Sequence, residues 1–290
     1  MKQTNKKNIT KKENTKEKKK SNILIYFILL IALLFLYSKY IEPYNLIVKE
    51  YKIENKEIPQ SFDGIKIIHF SDIHIGSTVN NKYLNKVVNL INKQKPDIVI
   101  FTGDMIDKRK NLTDNEIEDI KNTLSKIKSN LGNYAITGNH DIKHLNDFKK
   151  IMDTNFTILD NEEKLIYYKE NIPISLVGLS DSSETKINYE VLEKENNYYR
   201  IIICHEPDEY KKISNYNFNI MLSGHSHGGQ VRLPFIGKIY TPIGAKTYYD
   251  EYYKLNNKEI FISNGIGTST MDIRFNSTPS INLYRLYAQK

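Results

Sequence analysis

Residues Ile65–Asp72 read IKIIHFSD, a short, mostly apolar run that ends in polar residues. That pattern is a buried strand. It recurs downstream as DIVIFTGD (Asp97–Asp104) and NYAITGNHD (Asn133–Asp141). Between these runs the spacing turns helical. NKYLNKVVNLINKQ puts Leu84, Val87, Val88 and Ile91 on one face before Pro96 closes it, and NEIEDIKNTLSKIKSN does the same with Ile117, Ile120, Leu124 and Ile127. Ahead of them, YNLIVKEYKIENKEIP (Tyr44–Pro59) alternates like a strand and stops at the turn SFDG. More strands are expected in NIPISLVGLSD, RIIICHEP, FNIMLSGHSH, EIFISNG and INLYRLY. Helices alternate with strands early and β-rich sequence dominates later. The expected fold class is α/β: two sheets packed together with helices outside, in one domain.

The 290 residues carry a net charge of +8, which invites a nucleic-acid partner. Residues 1–20, however, hold nine lysines against two glutamates, so nearly all of that charge sits in the tail. The near-neutral remainder lacks the basic surface that nucleic acid needs, and the tail reads as a solvated charge run. A single cysteine excludes an intrachain disulfide and leaves the compartment open. Ile23–Tyr37, ILIYFILLIALLFLY, is uncharged and apolar throughout; with its flank through Ile41 it approaches the ~20 residues that cross a bilayer. A signal peptide would continue into a small-x-small cleavage site. YSKYIEPY is bulky and aromatic instead, as at a membrane interface. The expected organisation is a basic tail over 1–21, a single-pass transmembrane anchor over 22–41 and a folded domain over 50–287. Lysines ahead of the span favour a cytoplasmic N-terminus, placing the domain on the extracytoplasmic side of the cell membrane.

Five of the strands run straight into polar clusters: SDIH, TGDMID, TGNHD, CHEP and SGHSH. Ligands of open α/β sheets gather at the carboxyl ends of strands, so these clusters are expected to converge. They hold five of the seven histidines (His74, His140, His205, His225, His227) together with Asp72, Asp104 and Asn139. Packing alone does not explain so many polar groups at buried strand ends. His69, inside a strand, reads as a core or supporting residue. Nitrogen and oxygen donors without a thiolate cage suit manganese, iron or zinc at a reactive site. Asp72 and His74, two apart on a strand end, are expected to face one way, as are His225 and His227. GHSHG also satisfies G-x-S-x-G with Ser226 as nucleophile. That arrangement needs a histidine further along the chain, and none follows His227.

Taken in order, SDIH, GD, GNHD, the histidine before EP, and GHSHGGQ resemble the calcineurin-like metallophosphoesterases. GHSHGGQVRLPFIGK, ISNGIGTSTMDIRFNS and INLYRL resemble the bacterial membrane-anchored branch of that family, over residues 50–287. The resemblance implies a four-layer α/β/β/α sandwich of two mixed sheets, with a two-metal site at one edge. It implies that Asp72, His74, Asp104 and His227 hold the first metal, and that Asp104 bridges to a second completed by Asn139, His205 and His225. His140 would contact the substrate phosphate and protonate the leaving oxygen, with Asp107 orienting and charging it and Asp141 in support only. Lys108 stands where the protein-phosphatase members carry arginine, which argues against a phosphoprotein substrate.

The implied activity is hydrolysis of a phosphodiester or pyrophosphate by metal-activated water. Two divalent ions are needed, manganese foremost and iron or zinc as alternatives. The protein is expected to be a monomer held at the membrane, with no nucleic-acid partner and a phosphoester substrate that the anchor allows to be lipid-linked. UDP-2,3-diacylglucosamine pyrophosphatase activity in lipid A synthesis is the alternative substrate reading, at odds with an outward-facing domain. A metal-bound interaction module without turnover is the alternative of another class, and the complete ligand set stands against it.

Overall fold

A computed structural model describes residues 22–183, 185–194 and 197–289. The basic tail expected over 1–21 lies outside the described residues. In chain order the strands are β1 (Ile47–Asn55), β2 (Lys66–Phe70), β3 (Ile98–Phe101), β4 (Asn133–Ala135), β5 (Thr157–Ile158), β6 (Glu162–Tyr168) and β7 (Glu170–Gly178). There follow β8 (Arg200–Ile203), β9 (Ile220–Ser223), β10 (Arg232–Leu233), β11 (Gly237–Lys238), β12 (Tyr252–Leu255), β13 (Lys258–Ile262) and β14 (Ser280–Ala288). The order β1-β14-β2-β3-β4-β5 makes one six-stranded sheet and β12-β13-β9-β8-β7-β6 a second, while β10 and β11 form a separate hairpin. Both large sheets are mixed: β2, β3, β4 and β5 run parallel beside the antiparallel β14, and β7, β8, β9 and β13 run parallel between the antiparallel edges β6 and β12.

The apolar runs lack alternation because their strands are covered on both faces. In β2 and β3, Ile67, Ile98 and Ile100 point between the sheets, where they meet Ile201, Ile203, Ile220, Leu222 and Phe261. Their neighbours Ile68, Phe70, Val99 and Phe101 point outward against three helices. These are α2 (Asn81–Lys93), α3 (Asp114–Leu124) and α4 (Leu145–Met152), numbered after the N-terminal helix α1 (Asn22–Tyr44). The residues expected on one face of α2 are buried, as are those of α3, except that α3 stops at Leu124 and Ile127 is buried in the segment beyond it. Asn80 caps α2 through its side chain, and Thr113 with Glu116 forms a capping box on α3, which fixes where each helix leaves its strand. On the far face of the second sheet, Val177, Ile202, Met221 and Ile260 pack under short helical turns that include Val191 and Ile213. The result is the α/β/β/α sandwich expected.

Two boundaries differ from the sequence expectation. β1 begins ahead of residue 50, and the folded contacts reach back into the end of α1, where Ser38, Glu42 and Pro43 are buried. The rest of α1 is exposed, and it is long and apolar enough to cross a membrane.

Ile100 is fully buried between the sheets. Ile100→Ala removes buried methylenes and leaves a cavity, at a cost of about 2–5 kcal/mol. In urea unfolding the midpoint should drop accordingly with an unchanged slope; a midpoint within error of the parent would mean that the two sheets do not pack as described.

Candidate metal centre

Three of the polar clusters leave the first sheet from the carboxyl ends of β2, β3 and β4, and two leave the second from β8 and β9. All five meet at one edge of the sandwich. Asp72, His74 and His227 bring one donor atom each to within 4.8 Å of one another, as do Asp104, His205 and His225, and as do His74, Asp104 and His140. His74 Nε2 lies 3.1 Å from His227 Nε2 and 3.5 Å from Asp104 Oδ2; His227 Nε2 lies 3.4 Å from Asp72 Oδ1, and His205 Nε2 3.3 Å from Asp104 Oδ2. Ligands at the usual ~2.1 Å from one ion stand about 3.0–3.4 Å apart, so these spacings are those of a coordination shell. Asp104 belongs to two of the three groups.

Asp72 and His74 bring donors to one group, whereas His225 and His227 bring theirs to two different groups, and in neither pair does the strand pleat set the direction. β2 ends at Phe70 and β9 at Ser223, so all four residues lie past the strands. Asp72, His74, Asp104, His225 and His227 each adopt a left-handed backbone, with φ between 48 and 65°. Such conformations are costly for ordinary residues, least so for Asp, Asn and His, and they gather at functional sites. Two glycines make room for the turns. A Cβ on Gly138 would collide with the Asp104 carboxylate and come within 2.7 Å of Asp104 N and 2.8 Å of His205 Cε1; one on Gly224 would meet the side chains of Ser71 and Asp72. Ser226 is occupied locally, accepting from Gly228 N–H and donating to Tyr249 O, so it has no nucleophile's base.

The ring orientations are set from behind. His205 Nδ1–H donates to Thr102 O at 2.6 Å and His225 Nε2–H to Ile243 O at 2.7 Å, which turns the other nitrogen of each ring inward. His69 supports this frame, as anticipated: its nitrogens contact Thr102 Oγ1 at 2.9 Å and Tyr284 Oη at 3.1 Å. Burial pushes His74 down to about 3 and His225 to about 4, and holds His227 well below its usual range, so these imidazoles are neutral at pH 7, the form that ligates metals. Burial raises Asp72 to about 6, still ionised at neutral pH. At His205 burial also opposes charge, but the adjacent Asp104 carboxylate outweighs it and raises the ring's pKa. The donor set fits divalent cations on a further ground. Asn139 Oδ1 is buried without a hydrogen-bond partner, a costly state unless a cation there accepts its lone pair.

Three residues hold roles that the sequence reading did not give them. Asp141, expected only in support, accepts N–H bonds from Asp104 at 2.7 Å, Met105 at 2.8 Å and Gly138 at 3.0 Å, stitching the loop after β3 to the loop after β4. Arg274, fully buried, donates to the carbonyls of Asn264 (2.8 Å), Gly267 (3.2 Å) and Ser277 (2.8 Å), and stands 3.4 Å from His227 Nδ1. Its signal was a charge set between Ile273 and Phe275 in TMDIRFNS. Asp107 does not orient His140 as expected. Both its oxygens are taken by Arg109, through Nε at 2.8 Å and Nη2 at 2.8 Å, while His140 Nδ1 instead accepts from Lys108 N–H at 3.1 Å.

Beside the donors lies a cavity of about 510 Å³, lined by Asp104, Asn139, His140 and His227, by the apolar Val231, Ile239, Tyr240 and Met271, and by the polar Gln230 and Thr270. Lys108 is the lysine or arginine that lines it.

Comparison with known proteins bears on this geometry. A family model described as calcineurin-like phosphoesterase matches residues 65–229. The uncharacterized metallophosphoesterase YkuE of Bacillus subtilis is 32% identical over 255 residues, covering 86% of this chain and 88% of its own. Phosphodiesterase YaeI of Escherichia coli is 26% identical over 227 residues, or 76% of this chain and 82% of its own. A transmembrane protein with a metallophosphoesterase domain from Danio rerio is 28% identical over 203 residues, 63% of this chain and 45% of its own.

Asp104 Oδ2 lies 3.5 Å from His74 Nε2 and 3.3 Å from His205 Nε2, within reach of donors in both outer groups, so Asp104→Ala should abolish retention of both ions, whereas His74→Ala should weaken mainly one. Gly138→Ala should act like Asp104→Ala while the fold persists, because its Cβ displaces the Asp104 carboxylate. Elemental analysis after desalting checks this; Asp104→Ala retaining two metals per chain would remove Asp104 from the shared position.

Proposed function

Because the chain belongs to the calcineurin-like phosphoesterase family, we propose that this metal-dependent phosphoester hydrolase is a membrane-anchored phosphodiesterase, with Asp72, His74, Asp104, Asn139, His205, His225 and His227 as its metal ligands. The observation that carries the reading is the convergence of these His and Asp donors at one edge of the sandwich, where Asp104, Asn139, His225 and His227 line a cavity. Divalent cations bound there supply acidified water and neutralise charge on the phosphoryl oxygens. Overall a water oxygen adds to phosphorus, the ester P–O bond breaks, and the alcohol oxygen leaves with a proton. The N/O donor set favours manganese, with iron or zinc as alternatives.

A diester rather than a monoester suits the cavity's lining, because Val231, Ile239, Tyr240 and Met271 offer apolar surface to a second ester substituent. The name of the Escherichia coli relative agrees with this choice. A non-catalytic interaction module would have no use for seven intact donors around a cavity.

His140 acts on the substrate through Nε2–H. Lys108 N–H points at Nδ1, which makes that nitrogen the acceptor and puts the ring's proton on Nε2. A doubly protonated ring would set N–H against N–H, and burial lowers its pKa as well. His140 is therefore a fixed hydrogen-bond donor to a phosphoryl oxygen in place of the proton donor first expected. His140→Ala should keep the metals and lose roughly 10²–10³ in kcat on bis-p-nitrophenyl phosphate with Mn²⁺, as for loss of one preorganised donor. The loss should be alike for diesters with good and poor leaving groups; a loss growing with leaving-group pKa would restore the acid role.

The anchor is α1, and the lysine-rich N-terminus holds its tail in the cytoplasm, so the domain faces outward. Protease added to intact spheroplasts should then digest the domain. Survival until lysis would reverse the orientation.

A further inference from the structure

The hairpin β10–β11 carries side chains that a water-facing loop has no reason to carry. Its turn, Pro234–Phe235–Ile236, leaves Phe235 completely exposed and Ile236 72% exposed, and Ile243 beyond it is 83% exposed. Phe235 takes φ 66°, a conformation that favours glycine or asparagine, so backbone preference does not explain the aromatic ring. Met271, 56% exposed, stands on the neighbouring segment, and Ile239 and Tyr240 continue from the hairpin into the cavity wall. A contiguous apolar rim beside a binding cavity marks an interaction surface.

What covers this rim is indicated by where the hairpin is rooted. Val231 bridges to Phe275, Arg232 N–H donates to Phe275 O at 2.8 Å, and Gln230 side-chain N–H bonds reach Ser269 O and Met271 O. One residue away, Arg274 N–H donates to Ser38 O at 2.8 Å, and Asn276 and Ser277 donate to the Glu42 carboxylate at 2.9 and 2.8 Å. Consecutive Cα atoms are about 3.8 Å apart, so the apolar hairpin and the end of α1 hang from the same few residues of one strap. From Arg232 to the turn is three residues, a reach of about 10 Å, and interfacial elements bury about 5–10 Å. Lys238 and Lys246, behind the apolar tip, lie over the Tyr249 and Tyr240 rings, cations placed to meet lipid headgroups once the tip is buried.

We propose that the β10–β11 hairpin, with Ile243 and Met271, dips into the bilayer that holds α1, so that the metal site opens at the headgroup layer and takes a phosphodiester carried on a lipid chain. This deepens the phosphodiesterase reading and rests on it for the substrate, though the membrane contact can be read without turnover.

The chain contains no tryptophan, so Phe235→Trp in the full-length protein creates a single reporter. In vesicles of phosphatidylcholine and phosphatidylglycerol with brominated acyl chains, its emission should be blue-shifted and quenched by at least half. A matching Ile172→Trp, at the start of β7 and away from the carboxyl ends that form the site, should stay unquenched. A water-like, unquenched emission from Phe235→Trp overturns the membrane contact whatever the enzyme does. For the substrate, hexadecyl p-nitrophenyl phosphate in the same vesicles should be cleaved with at least tenfold higher kcat/KM than soluble bis-p-nitrophenyl phosphate. The double variant Phe235→Ser, Ile236→Ser should lose that preference and keep the soluble rate. No preference in the parent, or one that survives in the double variant, refutes lipid presentation by the hairpin. Failure to cleave either diester would instead count against the phosphodiesterase reading, with the quenching result standing by itself.

Discussion

The carboxylate of Asp141 is fully buried and bonded to backbone N–H groups on two loops, those of Asp104 and Met105 after β3 and of Gly138 after β4. Burial, and next the nearby charge of Asp104, raise its pKa to about 7 in spite of those bonds, which measures how unfavourable the position is. The clamp is what holds Asp104 and Asn139 in one place. Because Asp141 draws the two loops together, position 138 has no room for a Cβ and Asp104 is forced into its left-handed turn. His140 N–H in turn reaches Asp104 Oδ1 at 2.9 Å, so His140 is placed by the same contact. The strands bring five loops to one edge. The buried carboxylate makes two of them share a site.

Strain is distributed the same way. Five of the seven proposed ligands sit at positive φ, each right after a strand that is rigid and buried on both faces. A regular strand end would project alternate residues along one line and could not wrap donors around a point. Turning the backbone at every ligand does so, at a cost the sandwich can carry because three separate apolar cores hold the strands. That Asp, His and Asn tolerate left-handed turns and also ligate metals lets one residue serve both ends.

This is also why the site was legible in the sequence while its geometry was not. Residue type and order named the donors, since histidines and aspartates following apolar runs have no packing role. The reason first given for their orientation, the two-residue pleat, belongs to strands that stop short of them. The resemblance to calcineurin-like enzymes is borne out, as is the pair of mixed sheets, because Ile-rich runs and heptad-like helix faces carry their own periodicity. Strand β6, the edge strand β12 and the hairpin β10–β11 went unread, being exposed, short or both. Contacts between distant residues were beyond reach for another reason. Arg274 meets a histidine 47 positions away, and Glu42 meets amides 234 and 235 positions away; nothing local in DIRFNS or IEPY points to the partner.

Those distant contacts change what the N-terminal helix is for. A tether needs only length, and a flexible polar linker after α1 would suffice. Here no such linker exists. Glu42 is buried at 1% exposure to cap the amides of Asn276 and Ser277, Ser277 Oγ–H donates to His227 O at 2.7 Å, and Tyr83 stacks edge-on to Tyr44 at 5.8 Å. The path from the last turn of α1 to a proposed metal ligand is two hydrogen bonds long. Burying a carboxylate is costly unless it is hydrogen-bonded, and the two amides it accepts from tie the last turn of α1 to the segment that carries Ser277. In the membrane-anchored reading proposed above, that tie would hold the cavity at a set height and angle, which anchoring alone would not need.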